Sequence, residues 1–184
     1  MQRIVCKRTK RPIKETAAVA LLSAIMCVCA MINIPLAVPI TLQTLALSFG
    51  LFFLGGKLTL LSTLIYVSIG ALGVPVFSGF SGGVARLFDA TGGFIIGIPL
   101  AALLYWCFEF FFKAKGRAKL PIAIAAHAML YLSGSLWYAF VYLGGERGAF
   151  LTALLVAVLP FIIPDLVKLV LAYLIAKRRP KLDF

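Results

Sequence analysis

The chain has 184 residues, 62% of them hydrophobic and only 13% charged, with a mean hydropathy of +1.06. A soluble domain is about half apolar and about a quarter charged, so these figures exclude an ordinary soluble fold and indicate a polytopic membrane protein. A net charge of +12 would suit nucleic acid, but the Lys and Arg residues gather at 3–14, 113–119 and 177–181 with long apolar runs between them. That is the pattern of helix ends on one side of a membrane, so no nucleic-acid partner is expected.

A spanning helix needs about 20 mostly apolar residues. Six segments are predicted, at 15–33, 42–54, 58–72, 91–112, 120–143 and 150–176, giving an all-α, single bundle of six transmembrane helices. Residues 1–14 and 177–184 read as basic tails around a transmembrane domain at 15–176. The first apolar run, Thr16 to Ile34, is too long for the core of a signal peptide and ends without a small-x-small site, so it reads as a retained helix. Within it, Ala17, Ala20, Ala24 and Ala30 are small. Ala20 and Ala24 form A-x-x-x-A, a spacing that lets another helix approach closely, whether from this chain or from another protein. Cys27 and Cys29 point to different faces of this helix and lack a second Cys or His pair, so they read as packing residues. Cys6 and Cys107 stand alone, and no disulfide framework is implied.

The stretch NIPLAVPITLQT at 33–44 leads into the second segment. Gln43 there suits either a ligand or an interhelical hydrogen bond. The second and third segments are short for a span and fit a path in which irregular backbone lines a cavity. Between the third and fourth lies GVPVFSGFSGGVARLFDATGG, 73–93, rich in glycine and carrying Arg86 and Asp89. Thr91, Gly92 and Gly93 open the fourth segment, whose first N–H groups lack partners and suit an anion. A surface loop with a local ion pair explains the same residues equally well.

The fifth segment carries a lone His127 with no ligand spacing around it, so a hydrogen-bonded interior histidine is expected and not a metal site. Tyr105, Trp106, Trp137, Tyr138 and Tyr142 read as interface or cavity aromatics, and Glu109 as reaching the cytoplasmic interface. The sixth segment holds LPFIIPDLVK. Pro160 and Pro164 free backbone carbonyls, which is tolerable where they line a cavity. Asp165 and Lys168, at i and i+3, share a face. Each charge at mid-membrane costs about 2.5–3.5 kcal/mol, so a polar site for a small ligand is favoured over a pair that merely fixes packing. Asp165 would accept from N–H donors and Lys168 would donate to an oxygen.

Fifteen of the 18 Lys and Arg residues fall at one end of the six segments. Both termini are therefore expected in the cytoplasm, with 33–41, 73–90 and 144–149 outside. No internal repeat is evident. No Walker A, H-E-x-x-H or G-x-S-x-G motif occurs, so the chain shows no signature for ATP hydrolysis or hydrolase chemistry.

Four stretches in register, VPITLQT at 38–44, GALGVPVF at 70–77, TGGF at 91–94 and PFIIPDLVK at 160–168, resemble the BioY family, the biotin-specific S components of energy-coupling factor (ECF) transporters. The resemblance spans all six segments. It implies a six-helix membrane protein of a bacterial-type plasma membrane that captures biotin from outside beneath external loops. The partners implied are a transmembrane T component and two ATPase subunits, with biotin as transported ligand, no cofactor and no enzymatic activity. By similarity, Asp165 and Lys168 match the family's D-x-x-K and would bind the ureido ring, with Lys168 either donating to an oxygen or holding Asp165 ionised. Gln43, Thr91, Gly92 and Gly93 would edge the pocket, while Val74, Phe77 and Tyr138 would wall it. Ala20 and Ala24 would dock on the T component. The chain departs from the family in carrying Asp89-Ala90 where Gly-Pro is usual, and in placing Arg86 in the loop, where it either meets the biotin carboxylate or pairs with Asp89. The alternatives are the same scaffold for another vitamin-like heterocycle, a membrane enzyme using Asp165 or His127 as base, or a purely structural subunit.

Overall fold

An apolar surround offers the backbone no water, so chain that crosses it folds where it can satisfy its own N–H and C=O groups, as helix. The computed structural model describes residues 2–34, 38–114 and 116–178, with the backbone alone for 2–12 and 117. Cys6, much of the first basic cluster and the last six residues therefore lie outside the described side chains. Among the described residues there are seven α-helices: α1 (Gln2–Met31), α2 (Gln43–Phe53), α3 (Gly56–Ala71), α4 (Gly92–Phe112), α5 (Lys119–Trp137), α6 (Ala149–Ala157) and α7 (Leu159–Arg178). Two short strands, β1 (Asn33–Ile34) and β2 (Ile40–Thr41), pair antiparallel with Asn33 opposite Thr41. Among the described residues, four stretches are long and apolar enough to cross a membrane: Ile13–Met31, Gly92–Phe112, Lys119–Tyr142 and Leu159–Arg178. The protein is all-helical and multi-pass, with α2 and α3 as shorter apolar helices.

Two boundaries differ from the sequence expectation. The backbone of the basic N-terminal stretch continues α1 as helix from Gln2, so the helix starts well before residue 15. The last predicted segment is two helices, broken at Val158, where φ is −123°. Pro160 is the reason. It has no N–H for the carbonyl of Val156, and its ring crowds that carbonyl. The chain turns instead, and the N–H of Phe161 donates to the carbonyl of Val158 at 2.9 Å. Pro164 is accommodated inside α7.

Helices approach closely where glycine removes the side chain. A Cβ on Gly93 or Gly97 of α4 would overlap Trp137 or Ser133 of α5, and one on Gly134 of α5 would overlap Phe94. Gly56 lies against the backbone of Trp106 in the same way, bringing α3 to α4. The α1–α3 contact is polar: the hydroxyls of Ser23 and Ser62 reach the carbonyls of Ser62 and Val19 at 3.1 and 3.2 Å. At the end of the bundle that carries Lys119, the Glu109 carboxylate of α4 ties two neighbours. Its Oε2 accepts from the N–H of Gly56, the first residue of α3, at 2.8 Å, and its Oε1 meets Lys119 Nζ, the first residue of α5, at 2.8 Å. A carboxylate at a helix N-terminus satisfies a donor that has no partner within the helix.

Candidate functional site

At the opposite end of the bundle, residues 38–44, 77–81 and 91 converge over α4, α5 and α7 and enclose a cavity. Its entrance is shaped by two short backbone ladders. One is the β1–β2 pair, which presents Thr41. The other is a hairpin in which Phe77 and Ser81 exchange N–H···O bonds of 2.9 and 3.4 Å. Between them, Gly79 and Phe80 adopt φ of 74° and 54°, a left-handed turn that costs a non-glycine residue roughly 1–2 kcal/mol. The turn leaves Phe80 exposed and carries Phe77 inward, where it is buried against Gly70 and the Tyr66 ring at 5.6 Å.

The cavity walls are mainly apolar, from Val38, Pro39, Tyr66, Phe77, Phe94, Ile95, Ile98, Leu130 and Phe161. Phe94 and Phe161 stack with ring centres 6.4 Å apart. The break at Val158 thus sets Phe161 against α4, with Asp165 one turn further along α7.

Asp165 is the charged residue in the lining, with its side chain 4% exposed. Its Oδ1 accepts from Thr44 Oγ1 and Lys168 Nζ, both at 2.8 Å, and its Oδ2 accepts from Tyr131 OH at 2.8 Å. Lys168 stands behind it. Its Nζ donates to the carbonyl of Thr41 at 2.6 Å, to Thr44 Oγ1 at 3.1 Å and to Asp165 Oδ1. Thr44 is the pivot, giving its proton to Asp165 and accepting one from Lys168. A buried ion pair of this kind holds only when its remaining donors and acceptors are also satisfied.

Gln43 also lines the cavity, and it is unlike its neighbours. Its Nε2 is buried with no hydrogen-bond partner among the described residues. A buried unpaired amide costs about 1–3 kcal/mol. The arrangement therefore offers carboxylate oxygens at Asp165 and an uncommitted N–H donor at Gln43, within apolar walls. This combination suits a small ligand with a cyclic N–H and carbonyl group.

Of the residues singled out from sequence, Asp165, Gln43, Phe77 and Thr91 line the cavity, and Lys168 braces it. Arg86 does not line it: its guanidinium pairs with Asp89 at 2.6 Å. Gly92 and Gly93 do not line it either. Gly92 leaves room for the Leu87 carbonyl of the preceding loop, and Gly93 leaves room for Trp137 of α5. Tyr138 packs in a separate cluster with Ala139, Ala153 and Phe161, behind the wall, and Val74 is exposed. His127 is buried and hydrogen-bonded, with Nδ1 2.9 Å from the carbonyl of Ala123 and Nε2 3.3 Å from Ser48 Oγ. Ala20 and Ala24 lie on the outward face of α1. The sequence reading missed Thr44, Tyr131 and Tyr66. Thr44 stood in the quoted T-L-Q-T, and Tyr131 lies one helical turn beyond His127.

These features define a polytopic helical membrane protein with a ligand-sized cavity built on a buried ion pair. The chain belongs to the BioY family, whose model matches residues 4–182. A probable biotin transporter BioY of Pyrococcus horikoshii is 40% identical over 167 residues, covering 90% of this chain and 95% of that one. The biotin transporter BioY of Thermotoga maritima is 34% identical over 172 residues, with coverage of 92% and 98%. The fold is shared with the crystal structure of the S-component for biotin from an ECF-type ABC transporter, at a TM-score of 0.78 and 21% identity over 92% of each chain.

Proposed function

We propose that this protein is the biotin-binding S component of an ECF-type importer, a transport subunit and not an enzyme. It captures biotin from outside a bacterial-type plasma membrane and delivers it through a T component and two ATPase subunits. The observation that carries the reading is the pairing of Asp165, an acceptor, with the uncommitted Nε2 of Gln43, a donor, across one apolar cavity. A ureido ring presents the complementary set, N–H donors beside a carbonyl acceptor. Asp165 accepts from a ring N–H and Gln43 donates to the ring carbonyl, while Lys168 keeps Asp165 ionised. Thr91 and Phe77 complete the wall, and Arg86, Gly92, Gly93 and Tyr138 act on the site only through packing or the loop.

In this reading the six predicted segments all cross the membrane, α6 and α7 sharing the last, and both termini are cytoplasmic. The concentration of Lys and Arg at the end opposite the cavity supports that orientation. The exposed Ala20 and Ala24 supply a close-approach face for the T component. The test is equilibrium binding of biotin to the purified protein and to Asp165→Asn. Binding in the first and its loss in the second is expected. No binding to folded wild-type protein would remove biotin as the ligand.

A further inference from the structure

Among the described residues, the cavity wall includes Asp165 but no Lys or Arg. The nearest cation, Lys168, has all three N–H groups committed, to Thr41, Thr44 and Asp165, so the pair is neutral as a unit and has no donor left over. Arg86, the cation on the loop beside the cavity, is already bound to Asp89. A second carboxylate carried into this space would be a buried anion beside Asp165 with no free counter-charge, an arrangement far more costly than leaving it in water. The outer edge offers neutral groups instead: Ser78, Ser81 and Thr91 line the cavity and are half-buried, so they reach both the cavity and solvent.

Building on the ligand reading above, we infer that the site holds its ligand by the ring end alone. The carboxylate lies at the hydroxyl rim in water, and carboxyl-capped neutral derivatives, such as amides of the same acid, are accepted as ligands. Recognition is then blind to the charge of the tail and strict about the ring.

The test is competition against labelled biotin on the purified full chain, with biotin amide and with biotin methylated on a ring nitrogen. The amide is expected to compete within about tenfold of biotin, less than one charge-assisted contact is worth. The ring-methylated compound is expected to lose about 100-fold or more, because it removes the N–H that Asp165 accepts. A loss of about tenfold or more for the amide overturns the inference. Repeating that comparison on Arg86→Gln then shows whether Arg86 is the carboxylate's seat. Equal competition by the ring-methylated compound also overturns it. Failure of labelled biotin itself to bind is a separate result, which removes the ligand reading and this inference with it.

Discussion

All three N–H groups of Lys168 are taken by protein oxygens, so its part in the site is to balance and orient Asp165. Asp165→Asn keeps the shape but exchanges a charged acceptor for an amide. Biotin affinity should fall about 100-fold, roughly 2.7 kcal/mol, measured by equilibrium binding. Lys168→Met leaves the carboxylate buried without its partner, and loss of one member of such a pair costs about 3–5 kcal/mol. Its melting temperature in detergent should drop by several degrees even without ligand. Gln43→Leu should separate the two effects. Removing an unsatisfied buried amide should raise the melting temperature of the ligand-free protein, while affinity falls about tenfold. At this scale the sequence was informative wherever burial is expensive. Asp165 and Lys168 stood out because a charge in an apolar run needs a reason. Tyr131 did not, because an aromatic in a spanning segment looks the same whether it faces lipid or a carboxylate.

Small residues carried the opposite lesson at the level of elements. Thr91-Gly92-Gly93 reads as an edge of the ligand pocket, but the structure uses Gly93 for approach between α4 and α5 and Gly92 for the close passage of the Leu87 carbonyl. The chemical signal, absence of a side chain, is the same in both cases, and only the partner differs. Gly93→Leu should therefore weaken the fold more than the site. Overpacking of this kind costs about 1–3 kcal/mol or more, and thermal unfolding should show a loss that added biotin partly restores by mass action. The prolines were legible as disturbances, but which of them breaks the helix depends on what can turn. Pro160 ends one helix and begins another, whereas Pro164 is carried within α7.

For the whole molecule, hydropathy was enough to indicate an all-helical membrane bundle, and four long apolar helices bear that out. The cavity was less legible, since it is assembled from six stretches of chain whose convergence no local pattern encodes. Transport adds a requirement that binding lacks, a face for the energising subunits. Ala20→Trp, on the outward side of α1, should leave biotin affinity within about twofold while uptake in cells carrying the complete importer falls at least tenfold; uptake at the wild-type rate would remove that face from the docking role. Glu109 bears on the same cycle from the far end. By fastening the starts of α3 and α5 to α4, it makes the molecule stiff at one pole, and the cavity sits at the other. Motion that admits or releases a ligand should then resemble a hand opening from a fixed wrist. Deuterium uptake should be slow at 56–60 and fast at 77–84, and Glu109→Gln should loosen the wrist while leaving the fingers as they were.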